Sequence, residues 1–235
     1  MAHEFEGRGL AGLVEMTARL RGPGGCPWDA DQTHASLVQY LVEETHELIE
    51  AIETGDRGEM IEELGDVLYQ VLFHSDIAAH TPGEDFDIDT VADHMTAKMV
   101  ARHPHVFGDR EADTAADVVA FWDDLKATEK PHRTSVLDGI PLGMPALALA
   151  DKMIGRAERV GAPVTVERAD DGEAADLDAA DLDAGPTEEE LGDQLLAIVA
   201  DAREHGLDSE RALRGALRRL GDRIRETEGS ATAEA

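Results

Sequence analysis

The segment from Glu43 to Asp66, EETHELIEAIETGDRGEMIEELGD, concentrates carboxylates at helical spacing. Glu44 and Glu47 form one i, i+3 pair, and Glu63 and Asp66 form another, so each pair stacks on one helix surface. Between the pairs, Thr54-Gly55-Asp56-Arg57-Gly58 reads as a turn that folds two helices back antiparallel. At roughly 100° per residue, Glu44 falls in the middle of a stripe made by Leu37, Tyr40, Leu41, Leu48, Ala51 and Ile52, with Glu47 beside it. On the second helix Met60, Leu64, Val67, Leu68 and Val71 form the apolar face; Glu63 borders it, and Asp66 lies further round, near Tyr69 and Phe73. Acids inside an apolar stripe are costly unless something neutralises them. Inward carboxylates on two facing helices suit a hard divalent cation, and an all-oxygen ligand set favours Mg²⁺ or Mn²⁺ over zinc. The competing reading is a solvated acidic face, which fits Glu50, Glu53 and Glu62 and stays open for Glu44 taken alone.

Cations at the same kind of spacing suggest a phosphorylated ligand. Val91, Met95, Lys98 and Arg102 share one face of a helix expected over 89–102. Lys supplies a point charge and Arg a planar fork for phosphate; the alternative is a pair of cations snorkelling at the surface. Trp122 and Lys126, at i, i+4, could stack a base and touch a phosphate, or could be a half-buried ring covered by a lysine. His103-Pro104-His105 offers two imidazoles, for which capping or packing is the commoner role. Cys26 is the sole cysteine, so no intrachain disulfide is available, and a structural or surface thiol is expected.

The elements that must position these groups read as helices throughout. A short one spans Leu10–Leu20, and RGPGGCPW breaks it with two prolines and three glycines. Asp29 or Asp31 is available to cap the helix that carries Glu44 and Glu47. The second carboxylate helix is expected from Arg57 to Ala79, with Thr81-Pro82-Gly83 ending it. Further helices are expected over Ala115–Lys130, Ala146–Val160, Thr187–Glu204 and Ser209–Glu228, the third opened by a Thr187/Glu190 capping box. From Pro163 to Pro186 the chain is almost all Asp, Glu, Ala and Gly, the composition of a disordered acidic linker. Beyond it, Glu190-Leu191-Gly192-Asp193 repeats Glu63-Leu64-Gly65-Asp66. This echo of the hairpin lacks the first acid pair, so it is expected to pack rather than to hold metal. The expected organisation is therefore a first repeat over 1–162, a linker over 163–186, a degenerate hairpin over 187–228 and a tail over 229–235.

A length of 235 residues allows one or two domains. The formal charge of −30 disfavours binding a nucleic-acid polymer or an anionic membrane through a broad basic surface. It is compatible with a small phosphorylated substrate carried by Mg²⁺ into a local basic pocket. No apolar run approaches the ~20 residues of a membrane span, and no signal-peptide pattern is present, so a cytoplasmic protein is expected.

These features resemble those of the MazG nucleoside triphosphate pyrophosphohydrolases. Glu43-Glu44-x-x-Glu47 followed by Glu63-x-x-Asp66 is similar to the family's EExxE…ExxD signature. Gly25-Cys-Pro-Trp-Asp29, His103-Pro-His-Val-Phe107 and Leu137-Asp-Gly-Ile-Pro141 resemble boxes of the first repeat in two-repeat members. The resemblance implies an all-α, MazG-like helical bundle assembled as a homodimer, and Mg²⁺-dependent hydrolysis of NTPs or dNTPs to the monophosphate and pyrophosphate. It assigns Glu44, Glu47, Glu63 and Asp66 to the metal, Lys98 and Arg102 to the triphosphate, and Trp122 and Lys126 to the nucleotide. Glu43, the first acid of the signature, would order substrate or water, with Glu43 or one of the four metal acids taking the water's proton. The chain also departs from the pattern. Glu59 stands where competent repeats often carry Lys, Ala101 where a second Arg is common, and Asp222 where the second repeat would have a basic residue. The alternative function is therefore a catalytically weak or inactive helical dimer that binds nucleotide or a regulatory partner. Zinc-protease spacing fails because Glu50, not His, follows His46-Glu47-Leu-Ile.

Overall fold

The computed structural model describes residues 5–115, 117–118, 134–162 and 187–233, the last stretch with side chains as far as 225. Every regular element among them is an α-helix, as the sequence leads one to expect. In chain order these are α1 (Gly9–Arg21), α2 (Pro27–Ala30), α3 (His34–Thr54), α4 (Arg57–His80), α5 (Ile88–Arg102), α6 (Pro104–Phe107), α7 (Ala146–Glu158), α8 (Glu188–Glu204) and α9 (Ser209–Ala233). They fall into two compact units, Met1–Leu125 and Lys126–Ala235. The helix expected over 115–130 lies, apart from its first residues, outside the described residues, as does the acidic stretch 163–186. No helix of the described residues is long and apolar enough to cross a membrane.

The first unit is built on the α3–α4 hairpin, with α1 and α5 packed against α4. The link is only Gly55 and Asp56. Gly55 has φ 77° and returns its N–H to the Ala51 carbonyl; that left-handed geometry is why a glycine stands there. Asp56 then caps α4, its Oδ1 accepting from the N–H groups of Gly58 (2.7 Å) and Glu59 (3.2 Å). At the other end of α3 the cap is neither Asp29 nor Asp31. Thr33 Oγ1 accepts from the Ser36 N–H at 3.1 Å and Ser36 Oγ accepts from the Thr33 N–H at 3.0 Å. Asp29 is unavailable because it is buried in α2, its carboxylate accepting from the Tyr69 hydroxyl at 3.3 Å. Burial and the Asp29 charge push the Tyr69 phenol up to about 12.

The core of this unit is Leu37, Phe73 and Ile77, with Tyr40 and Tyr69 packed on it. Arg21, the last residue of α1, locks that helix down. Its guanidinium lies 4.9 Å from the Phe73 ring centroid, and its Nε donates to Asp76 at 2.7 Å and its Nη1 to the Asp29 carbonyl at 2.6 Å. A nearly dry ion pair of this kind fixes register more than it adds net stability. Further along the hairpin, the His34 and His74 rings lie parallel and edge to edge with Nδ1 atoms 2.7 Å apart, and His34 Nε2 meets Glu84 at 2.8 Å. A carboxylate only accepts, so His34 donates from Nε2 to Glu84, and a single proton lies between the two Nδ1 atoms. Burial, then the neighbouring His34, holds the His74 imidazole below its ordinary pKa.

One sequence expectation is corrected. Leu64, Leu68 and Val71, read as the inward face of α4, are exposed, as are Val38, Leu41, Val42 and Ile52 on α3. The covered flank of α4 carries Glu63, Gln70, Phe73 and Ile77 instead. Periodicity finds an apolar stripe without telling whether the same chain covers it, and here α3 and α1 cover the neighbouring flank.

In the second unit α7 packs on α8, and α9 packs on both. Ile154 and Val199 are its buried apolar anchors on α7 and α8. The Thr187/Glu190 capping box forms as expected, with the Thr187 N–H donating to Glu190 at 2.7 Å.

Candidate active site

The short turn and the α3–α4 packing bring acids from the two helices into one place. One carboxylate oxygen each from Glu44, Glu63 and Asp66 lies within 4.8 Å of the others. Glu44 sits mid-way along α3; Glu63 and Asp66 sit one turn apart near the start of α4. Glu63 is 9% exposed, and its Oε2 has no hydrogen-bond partner. Burial first, then Asp66, Glu47 and Glu63, pushes the Glu44 carboxyl above its ordinary pKa. Burial first, then Glu47, Asp66, Glu62 and Glu59, does the same to Glu63. A buried acid with an unpartnered oxygen, set among like charges, is what an oxygen-liganded divalent cation relieves. The donor set therefore fits the expected Mg²⁺ or Mn²⁺.

Glu47 stands just outside this trio. It is exposed, yet its charge bears on both Glu44 and Glu63. With Glu63 it lines a cleft of about 680 Å³ between the helices, whose remaining acids, Glu50, Asp56 and Glu59, stand toward the turn. Glu59, the departure from the family pattern, thus adds negative charge at the mouth of the site rather than a cation. Glu43 is exposed and outside the trio. Lys98 and Arg102 are half-buried one turn apart on α5, which packs against α4. Trp122 and Lys126 lie outside the described residues.

Trp28, in the Gly25–Asp29 segment, stands beside the site without a spacing signal that points to it. Its ring is exposed and stands edge-on to Tyr40, with centroids 5.8 Å apart. Tyr40 is one helical turn before Glu44 on the same face of α3. The Trp28–Tyr40 pair is thus an aromatic ledge next to the carboxylates. The i, i+4 spacing of Tyr40 and Glu44 was the available signal; the fold-back of α2 that delivers Trp28 was not in the sequence pattern.

The MazG nucleotide pyrophosphohydrolase domain matches residues 32–107, from before α3 through α6. The chain is 37% identical over 227 residues to the nucleoside triphosphate pyrophosphohydrolase of Escherichia coli, covering 92% of this chain and 86% of that protein. It is 41% identical over 222 residues to the nucleoside triphosphate pyrophosphohydrolase/pyrophosphatase MazG of Thermotoga maritima, covering 92% and 84%. It is also 46% identical over 228 residues to an uncharacterized 26.1 kDa protein of Streptomyces cacaoi, covering 97% and 86%.

Proposed function

Because the chain belongs to the MazG nucleotide pyrophosphohydrolase family, we propose that it hydrolyses nucleoside triphosphates, NTP or dNTP, to the monophosphate and pyrophosphate. The observation that carries this reading is the convergence of Glu44, Glu63 and Asp66, with the Glu63 oxygen buried and unpartnered. Those three, with Glu47 at the edge, would hold Mg²⁺, or Mn²⁺ in its place. The chemistry such a cation supplies there is neutralisation of the triphosphate and acidification of a water. Glu43 or Glu47, both exposed beside the trio, accepts the proton released as water attacks the α-phosphorus. Lys98 and Arg102 hold the departing pyrophosphate, Lys as a point charge and Arg as a fork. Trp122 and Lys126 are proposed nucleotide contacts, and the Trp28–Tyr40 ledge offers a face on which a base can stack.

A second copy of the chain is proposed to cover the bare apolar stripe of Leu64, Leu68 and Val71 with Val38 and Val42, since exposed apolar surface arranged in a continuous stripe marks an interaction face. The proposed setting is the cytoplasm, where nucleoside triphosphates are made and used. The degenerate 187–228 hairpin is proposed to pack rather than to catalyse, because its ExxD acids lack a partner pair.

One observation favours the alternative, a dimer that binds nucleotide without turning it over. Glu59 lines the cleft with Glu47 and Glu63, where it repels a triphosphate. A pyrophosphate-release assay over the common NTPs and dNTPs, with and without Mg²⁺, separates the two. Release that needs Mg²⁺ and is lost in Asp66→Asn supports hydrolysis; Mg²⁺-dependent nucleotide binding with no release supports the alternative.

A further inference from the structure

The second unit contains a cleft of about 720 Å³ that the acidic hairpin does not use. Its cations are Lys152, Arg156, Arg159 and Arg203. That gathering runs against composition: the chain has 21 Lys and Arg against 51 Asp and Glu. The first three are placed by one helix face and the turn after it, at i, i+4 and i+7. The fourth comes from the end of α8 and is oriented by α7. Arg203 Nη1 donates to Asp151 at 2.9 Å and Nε to Glu158 at 3.1 Å, so the guanidinium bridges two turns of α7. It lies across Gly155, where any side chain would overlap it.

The acids nearest the cleft are already engaged. Asp151 is held by Arg203, and Asp208 accepts from the Arg211 N–H as the cap of α9. Lys152 and Arg156 have no ion pair among the described residues; Lys152 is exposed and Arg156 half-buried. The first turn of α9 borders the same cleft through Ser209, its start already capped by the Asp208 carboxylate. The lining also includes an apolar wall, supplied by Met144, Ala148 and Leu207. The volume is several times that of a bare phosphate and within the range of small-molecule sites.

We propose that this cleft binds a phosphate ester of nucleotide size, Lys152 and Arg156 gripping the phosphate and the apolar wall facing the organic part. The site is formed wholly within the second unit, so the inference stands independently of the reading given to Glu44, Glu63 and Asp66. It gives the second unit a ligand of its own after the loss of its acid pair.

The test uses the full-length chain in EDTA, which silences metal-mediated binding at the acidic hairpin. Adenosine monophosphate, pyrophosphate and orthophosphate are titrated separately by calorimetry. The expected result is saturable adenosine monophosphate binding, tighter than either inorganic anion and weakened by rising salt. Arg156→Glu is expected to weaken it at least about tenfold, the loss that follows removal of one charged hydrogen-bonding group. Lys98→Ala, in the first unit, is expected to leave it unchanged. Circular dichroism checks the fold of Arg156→Glu; Lys152→Ala, at an exposed position, keeps the test decisive should that variant unfold, and is expected to weaken binding too. No saturable binding by the wild type, equal affinity in wild type and the Lys152 and Arg156 variants, or orthophosphate or pyrophosphate binding as tightly as adenosine monophosphate would each overturn the proposal.

Discussion

Glu63 carries the tension in this molecule: nine-tenths buried, one oxygen without a partner, and Glu47 and Asp66 close enough to raise its pKa. Replacing it by Gln removes a ligand and relieves repulsion together. Glu63→Gln is expected to lower Mg²⁺-dependent pyrophosphate release by more than the roughly 10–100-fold that even outer-shell metal partners cost, while raising the melting temperature of the metal-free protein. Conversely, Mg²⁺ at about 100 times its dissociation constant should stabilise the wild type by about 2.7 kcal/mol, and stabilise Glu63→Gln by less; thermal melts with and without Mg²⁺ check both. His74 gives a pH dependence of definite sign. Its folded pKa is lowered from 6.5 by burial and by His34, which is itself tied to Glu84. As pH falls below 6.5 the unfolded chain takes up the proton first, so stability declines until the folded pKa is passed and then levels off. Urea titrations between about pH 7.5 and 5 should show this decline in the wild type and a flatter curve in His74→Phe.

At the scale of elements, the hairpin depends on its caps. Thr33→Ala removes one half of the reciprocal Thr33/Ser36 cap of α3 and is expected to cost about 1 kcal/mol, measured by chemical denaturation. The long helices α1, α3, α4, α5, α7, α8 and α9, the Gly55 turn and the Thr187/Glu190 box were legible in the sequence because each is a local signal. The α3 cap was not: Asp29 is as good a capping residue as Thr33, and only the tertiary contact with Tyr69 removes it from competition. The acids that meet were legible in part: i, i+3 spacing on two short-linked helices put Glu44, Glu47, Glu63 and Asp66 together, but it did not show that Glu47 stands outside the trio. Which flank of α4 is covered was not, because Leu64, Leu68 and Val71 make as good a stripe as Phe73 and Ile77, and the choice is made by α1 and α3. The Trp28 ledge and the cationic cleft around Arg156 were hidden for the same reason, since both are assembled from segments distant in sequence.

For the whole molecule, the exposed stripe on α3 and α4 and the acidic site belong to one hairpin, so assembly and activity should be coupled. Leu68→Glu, at a position 39% exposed in the single chain, is expected to shift the protein from dimer to monomer in light scattering and to lower activity without unfolding it. A monomeric wild type would remove the proposed partner copy while leaving the carboxylate trio intact. The formal charge of −30 also implies that rising salt relieves self-repulsion and steadies the metal-free fold. The claim beneath all of this is that Glu44, Glu63 and Asp66 form a divalent-ion site that supports phosphoanhydride hydrolysis. The most direct measurement is the rate of pyrophosphate release from a dNTP by wild type and Asp66→Asn, each with Mg²⁺ and with EDTA. Release by the wild type in Mg²⁺ alone, lost in Asp66→Asn, is the predicted result; equal rates in wild type and Asp66→Asn, or release that persists in EDTA, would contradict it.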